Sequence, residues 1–140
     1  MRAILTGASS GIGLALAREL SRRGYELALL ARRAELLEQL ASELKTKTLP
    51  LVCDVADRES VREAVRRAHE HFGGAFDVAI ANAGVGISGQ VAKFRIDDAE
   101  QTIRVNVLGM LYLFDAVIPA MIEAKQGRFV GVASLAGLRG

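Results

Sequence analysis

Eight residues near the start of the chain, Thr6-Gly7-Ala8-Ser9-Ser10-Gly11-Ile12-Gly13, carry three glycines at a spacing that suits a diphosphate. Such a group needs backbone N–H donors aimed at it from a helix N-terminus, and a residue without a Cβ lets the main chain turn sharply and approach closely. Gly7 is placed for the tight turn, Gly11 for the approach to the pyrophosphate and Gly13 for packing helix against strand. The alternative is a glycine-rich turn with no ligand. The placement of the eight residues after a strand and before a helix is the context that favours a nucleotide.

A second group, Ala31-Arg32-Arg33, follows the next apolar run. A carboxylate at this position would accept hydrogen bonds from the ribose 2′-hydroxyl of NAD and repel a 2′-phosphate. Two guanidinium groups instead match a phosphate in bidentate geometry, so NADP(H) is favoured over NAD(H). Arg32 is the expected contact and Arg33 the expected bystander; the alternative is that both are solvated residues opening the next helix. Other chemistry-bearing types are less informative. His69 and His71 stand two apart, which rules out a one-turn metal pair and leaves them as favourable helix-end residues. Cys53 has no activating partner near it in sequence and is expected to be a buried structural thiol.

These residues need a scaffold, and the apolar pattern supplies one. Short, almost uninterrupted apolar runs at 3–5, 27–30, 49–55, 78–80 and 129–132 predict strands covered on both faces. Between them, residues 12–23, 34–44, 58–72 and 97–124 place apolar side chains at three- and four-residue spacing among charges, which predicts helices. Asp57, and Asp97 with Glu100 three residues on, mark helix starts, while Gly24, Gly73 and Gly127 mark helix ends. The alternation predicts an α/β fold, a doubly wound parallel sheet of about five strands in one domain over residues 1–140. Ending on the fifth strand leaves an unpaired edge and an uncovered apolar face.

Thr-Gly-x-x-x-Gly-x-Gly differs from the Gly-x-Gly-x-x-Gly of ordinary Rossmann enzymes and resembles the signature of the short-chain dehydrogenase/reductase family. Asp54-Val55, which ends the third strand, is similar to the place where that family sets an aspartate against the adenine ring. Asn82-Ala83-Gly84 resembles the second half of its Asn-Asn-Ala-Gly motif, with Ala81 in place of the first asparagine, a departure that bears on stability more than on chemistry. The segment Val105-Asn106-Val107-Leu108-Gly109 resembles the stretch holding the family's active-site asparagine, and Ser134 stands where its catalytic serine closes the fifth strand. The resemblance covers the whole chain. It implies a Rossmann-like sheet, hydride transfer between a nicotinamide and a carbonyl or alcohol carbon, and a homo-oligomer contact through the 97–124 helix.

The same resemblance implies a Tyr-x-x-x-Lys pair in which the lysine lowers a tyrosine pKa from about 10. The only tyrosines, Tyr25 and Tyr112, have Leu29 and Ala116 four residues on. The expectation is therefore the cofactor half of a longer NADP(H)-dependent oxidoreductase, with negligible turnover by itself. The rivals are a catalytically silent dinucleotide-binding module and an interaction protein completed by another chain. For Ser134 and Asn106 the plain alternative is a polar side chain bonding nearby backbone. The 85–94 loop, with Gly86, Ser88 and Gly89, is placed either to line a pocket or to serve as an ordinary connection.

Composition sets the outer limits. With 140 residues, 51% hydrophobic and 24% charged, the chain matches one globular domain with a real core. A net charge of +2, scattered over amphipathic segments, calls for no nucleic acid partner. One cysteine cannot form an internal disulfide, and the start of the chain lacks the long apolar stretch of a secretory signal, so a cytoplasmic protein is expected. Residues 105–122 are broken by Asn106, Asp115 and Pro119 and make a poor membrane span.

Overall fold

The computed structural model describes residues 1–86 and 94–134. Five parallel strands, β1 (Arg2–Thr6), β2 (Glu26–Ala31), β3 (Thr48–Val52), β4 (Val78–Ala81) and β5 (Arg128–Gly131), form one sheet in the order β3-β2-β1-β4-β5. Helices α1 (Gly11–Arg22), α2 (Ala34–Glu43) and α3 (Arg58–Phe72) make the first crossovers. The last crossover is a single helical run of α4 (Ile96–Ile103), a π-helical turn (Arg104–Leu108) and α5 (Gly109–Glu123). The chain winds outward from β1 to β3, returns to the other side of β1 as β4, and so leaves a topological switch point between β1 and β4.

Strands β1, β2 and β4 are buried on both faces, which explains why they read as continuous apolar runs, whereas β5, expected to be covered on both faces, is exposed at all of its residues. Ala3, Leu5, Leu27, Leu29 and Ile80 point to one face, where Ala17 of α1 and Leu37 and Leu40 of α2 cover them. Ile4, Ala28, Leu30, Ala79 and Ala81 point to the other, against Val61, Val65 and Phe72 of α3 and Leu113 and Val117 of α5. The side chain of Phe76 is fully buried on this second face and stacks edge-on against Phe72 at 5.9 Å. The α4–α5 run is 28 residues long and contains an 18-residue window of mean hydropathy 1.8, apolar enough to cross a membrane, but Leu113, Val117 and Met121 are spent on the core.

Helix termini follow the expected chemistry in part. The Asp57 carboxylate caps α3 by accepting from the Glu59 N–H at 2.9 Å, and Gly73 ends that helix in the left-handed region, donating to His69 O. The expected capping box at Asp97 does not form. Helix α4 begins at Ile96 with Arg95 in the capping position, and Asp97 and Asp98 sit in its first turn, where carboxylates face the positive end of the helix dipole. Nor does Gly127 end α5. Lys125, at φ 52°, takes the left-handed turn, and Gln126 N–H bonds Met121 O. The predicted third strand is also too long: β3 ends at Val52 because the Asp54 carboxylate accepts from Ala56 N–H at 3.0 Å and turns the chain.

One side chain ties the two halves of the sheet together at the switch point. Thr6, 2% exposed, ends β1, and its hydroxyl oxygen accepts from the N–H groups of both Asn82 and Ala83, each at 3.1 Å. Asn82 returns the contact by donating its side-chain amide to Thr6 O at 3.2 Å and Gly7 O at 3.3 Å. Strand ends from β1 and β4 are thereby clasped just below the glycine-rich turn. Replacing the hydroxyl with a methyl leaves two N–H donors without their acceptor. Thr6→Val is expected to lower unfolding stability by roughly 2 kcal/mol, measured by chemical denaturation. Asp57→Ala is expected to cost about 1 kcal/mol through loss of the α3 cap, with Asp57→Asn close to neutral in the same assay.

Candidate functional site

The C-terminal ends of β1, β2 and β4 open onto a cavity of about 330 Å³, within the range of small-molecule sites. Its lining gathers segments far apart in sequence: Gly7, Ser9, Ser10 and Ile12 from the first turn, Arg32 and Arg33 after β2, Asp54 and Val55 after β3, and Asn82, Ala83 and Gly84 after β4. All of these were singled out from residue type and motif. Thr6 lies beneath as the clasp, and Gly11 and Gly13 complete the turn.

The three glycines do different work. A Cβ on Gly13 would stand 2.1 Å from Gly7 O and 2.6 Å from the Asn82 side-chain nitrogen, so this glycine lets α1 seat on the turn and on the end of β4 rather than on the strand itself. Gly11 has φ 55° and open space where a side chain would project. The backbone there is left-handed and uncovered, as a close-approaching ligand requires.

Arg33 departs from its expected role as a bystander. Its guanidinium reaches across the mouth of the cavity and donates from one nitrogen to the hydroxyls of Ser9 at 3.1 Å and Ser10 at 3.0 Å. Arg33 occupies the N-cap position of α2, in extended conformation, which swings its side chain toward the first turn. Arg32 is exposed beside it. Asp54 does not end a strand; it shapes the turn after β3, with its own N–H donating to the Ser60 hydroxyl at 3.1 Å.

Asn106 lies in the π-helical turn, a break that often marks functional positions. Its side chain pairs with the backbone of Val85, accepting from N–H at 2.8 Å and donating to O at 2.9 Å. It therefore holds the segment after β4 against the last crossover, 21 residues away. Gly109, next after the turn, packs so closely that a Cβ would meet Val55 at 3.0 Å. Ser134 does not close β5, which ends three residues earlier at Gly131, with Val132 N–H still bonded to Ala81 O. The serine follows at the same C-terminal end of the sheet and is exposed. Ser88 and Gly89 of the 85–94 loop lie outside the described residues.

Four further lining residues had no binding role assigned to them individually: Ala31 and Val105, quoted only within their segments, Val85, the start of the loop placed to line a pocket, and Cys53, expected to be a buried thiol. Each is the immediate neighbour of a residue that was singled out, Arg32, Asp54, Gly84 and Asn106. Cys53 is 2% exposed, and burial pushes its thiol up to about 11, partly opposed by a hydrogen bond with Ser60. A thiol held protonated in this way is no nucleophile. His69, in the last turn of α3, places Nδ1 3.0 Å from Gly74 O and its ring on Phe76.

The family model described as short chain dehydrogenase matches residues 1–140. An uncharacterised oxidoreductase of Staphylococcus aureus (strain MW2) is 35% identical over 136 residues, 96% of this chain and 58% of its own length. Thus the chain spans a little over half of such curated relatives. Among solved structures, a 3-ketoacyl-ACP reductase from Sinorhizobium meliloti 1021 superposes with a TM-score of 0.94 at 31% identity, over 100% of this chain and 56% of that one. An alcohol dehydrogenase from the archaeon Thermococcus sibiricus, complexed with 5-hydroxy-NADP, gives 0.85 at 36% identity over 89% and 55%. With the glycine-rich turn, the clasped switch point and the parallel sheet all in place, the chain belongs to the short-chain dehydrogenase family.

Proposed function

We propose that these residues form the cofactor-binding half of an NADP(H)-dependent oxidoreductase acting on a small carbonyl or alcohol compound. The observation that carries the reading is the cavity at the switch point, whose rim joins the glycine-rich turn to the guanidinium groups of Arg32 and Arg33. A nicotinamide dinucleotide bound there supplies hydride transfer. Within this reading the N-terminal end of α1, with Gly11 uncovered, takes the pyrophosphate. Arg32 and Arg33 take the 2′-phosphate, and no carboxylate in Ala31-Arg32-Arg33 opposes it. Asp54 and Val55 bound the adenine side, and Asn82, Ala83 and Gly84 line the floor toward the ribose.

The reacting end is assigned to Ser134, whose hydroxyl would position the substrate oxygen, and to Asn106, which holds the adjoining segment through Val85. Proton exchange is left to residues outside these 140, since neither Tyr25 nor Tyr112 stands four residues before a lysine. The reading also includes a cytoplasmic setting, in keeping with the lone buried thiol of Cys53. A homo-oligomer contact through the α4–α5 run belongs to it as well, where Leu111, Ile118 and Ile122 are exposed.

Titration of the chain with NADPH and NADH, followed by ligand fluorescence, tests the reading. NADPH is expected to bind about tenfold more tightly, the factor that one charge-assisted phosphate contact supplies. Arg32→Asp is expected to reverse that order, because its carboxylate would repel the phosphate and accept from a free 2′-hydroxyl. Binding of neither nucleotide would overturn the proposal.

A further inference from the structure

Ser10 occupies the N-cap position of α1 in extended conformation, φ −163° and ψ 168°, yet its side chain makes no cap hydrogen bond. Serine is among the residues that normally satisfy the N–H of the second or third helical residue, here Ile12 or Gly13. The contrast with Asp57, which does cap α3, shows that a helix rising from this sheet edge accepts a side-chain cap. What differs at Ser10 is the guanidinium of Arg33, 3.0 Å from its hydroxyl and anchored a second time on Ser9. A hydroxyl turned toward that nitrogen is turned away from the helix amides.

We infer that Arg33 is a positioning residue for the pyrophosphate end of the site: by holding the Ser10 hydroxyl, it keeps the first amides of α1 from being capped by their own chain. The inference rests on the cofactor reading above and adds to it. A 2′-phosphate contact would make Arg33 matter for NADP(H) alone, whereas a guard on the helix amides makes it matter for NAD(H) too. The physical basis is competition. A self-capped helix start must release its cap before an anion can accept from the same N–H groups, and the apparent affinity falls by the fraction of chains left uncapped. A typical serine cap corresponds to a factor of about five.

The test is a double-mutant cycle read with NADH, which has no 2′-phosphate. Arg33→Ala is expected to weaken NADH binding about fivefold, and the same substitution in a Ser10→Ala background is expected to cost nothing, because no hydroxyl is left to swing onto the helix. In the ligand-free chain, Arg33→Ala is expected to slow hydrogen exchange at the Ile12 or Gly13 amide, a change that a purely structural role for Arg33 would not produce. An unchanged NADH affinity in Arg33→Ala would overturn the inference. So would a loss that persists in the Ser10→Ala background, since Arg33 would then act on the ligand directly. If the unsubstituted chain binds neither NADH nor NADPH, the cofactor reading falls and this inference with it.

Discussion

The architecture turns on a two-way clasp between Thr6 and Asn82 at the one place where the sheet reverses its winding. A crevice opens there because β2 and β4 lie on opposite sides of β1 and their following connections diverge. Divergence alone would leave the ends of β1 and β4 free to splay. A buried hydroxyl accepting two N–H groups, answered by an amide donating to two carbonyls, gives that crevice a fixed floor. Buried polar groups in such a network are costly to leave unmatched, so the four bonds stand or fall together.

The glycine positions take their meaning from that floor. Gly13 is a glycine because the Asn82 side-chain nitrogen and Gly7 O lie where a Cβ would project, leaving no room for a methyl group. Gly11 is one because its φ is positive, a conformation that side chains rarely adopt, although its outer side is open. The same spacing rule therefore covers two unrelated constraints, one steric and internal, the other conformational. The last crossover adds a further tie: a π-helical turn presents Asn106 to Val85, and Gly109 lets α5 close on Val55. Segments after β3, β4 and α4 are thus fastened around one opening by short-range polar and steric contacts rather than by the bulk of the core.

The far edge of the sheet is less finished. All four residues of β5 are exposed, Phe129 leans on Phe114 at 4.8 Å, and Val130 and Val132 remain accessible. The opposite edge, β3, carries Pro50 in register with Leu29, a residue that edge strands tolerate because it lacks a donor. One edge is chemically blunted, and at the other β5 pairs with β4 alone among the described residues. In relatives of which this chain spans 58%, the sheet belongs to a longer chain.

Residues 3–5 and 27–30 already declared, by sequence alone, strands buried on both faces, and helices of period 3.6 between them left few topologies other than a doubly wound sheet. The glycine-rich turn after Thr6 and the arginines after the second apolar run likewise marked two strand ends by residue type and spacing, while Asp54, Asn82 and Asn106 were legible only through the resemblance to the short-chain dehydrogenase/reductase family. Tertiary structure decided what each one touches. The clasp of Thr6 on Asn82 spans 76 residues, and no local pattern encodes a contact across that separation. The reach of Arg33 to Ser9 and Ser10 depends on the direction in which α2 leaves the sheet. Boundaries moved for the same reason: Asp54 turned the chain sooner than its apolar neighbours suggested, and α4 began without the cap that Asp97 and Glu100 spelled out. Periodicity records which face of an element is buried, a property of single residues; a site is a set of distances between elements, and those exist only once the sheet has closed around its switch point.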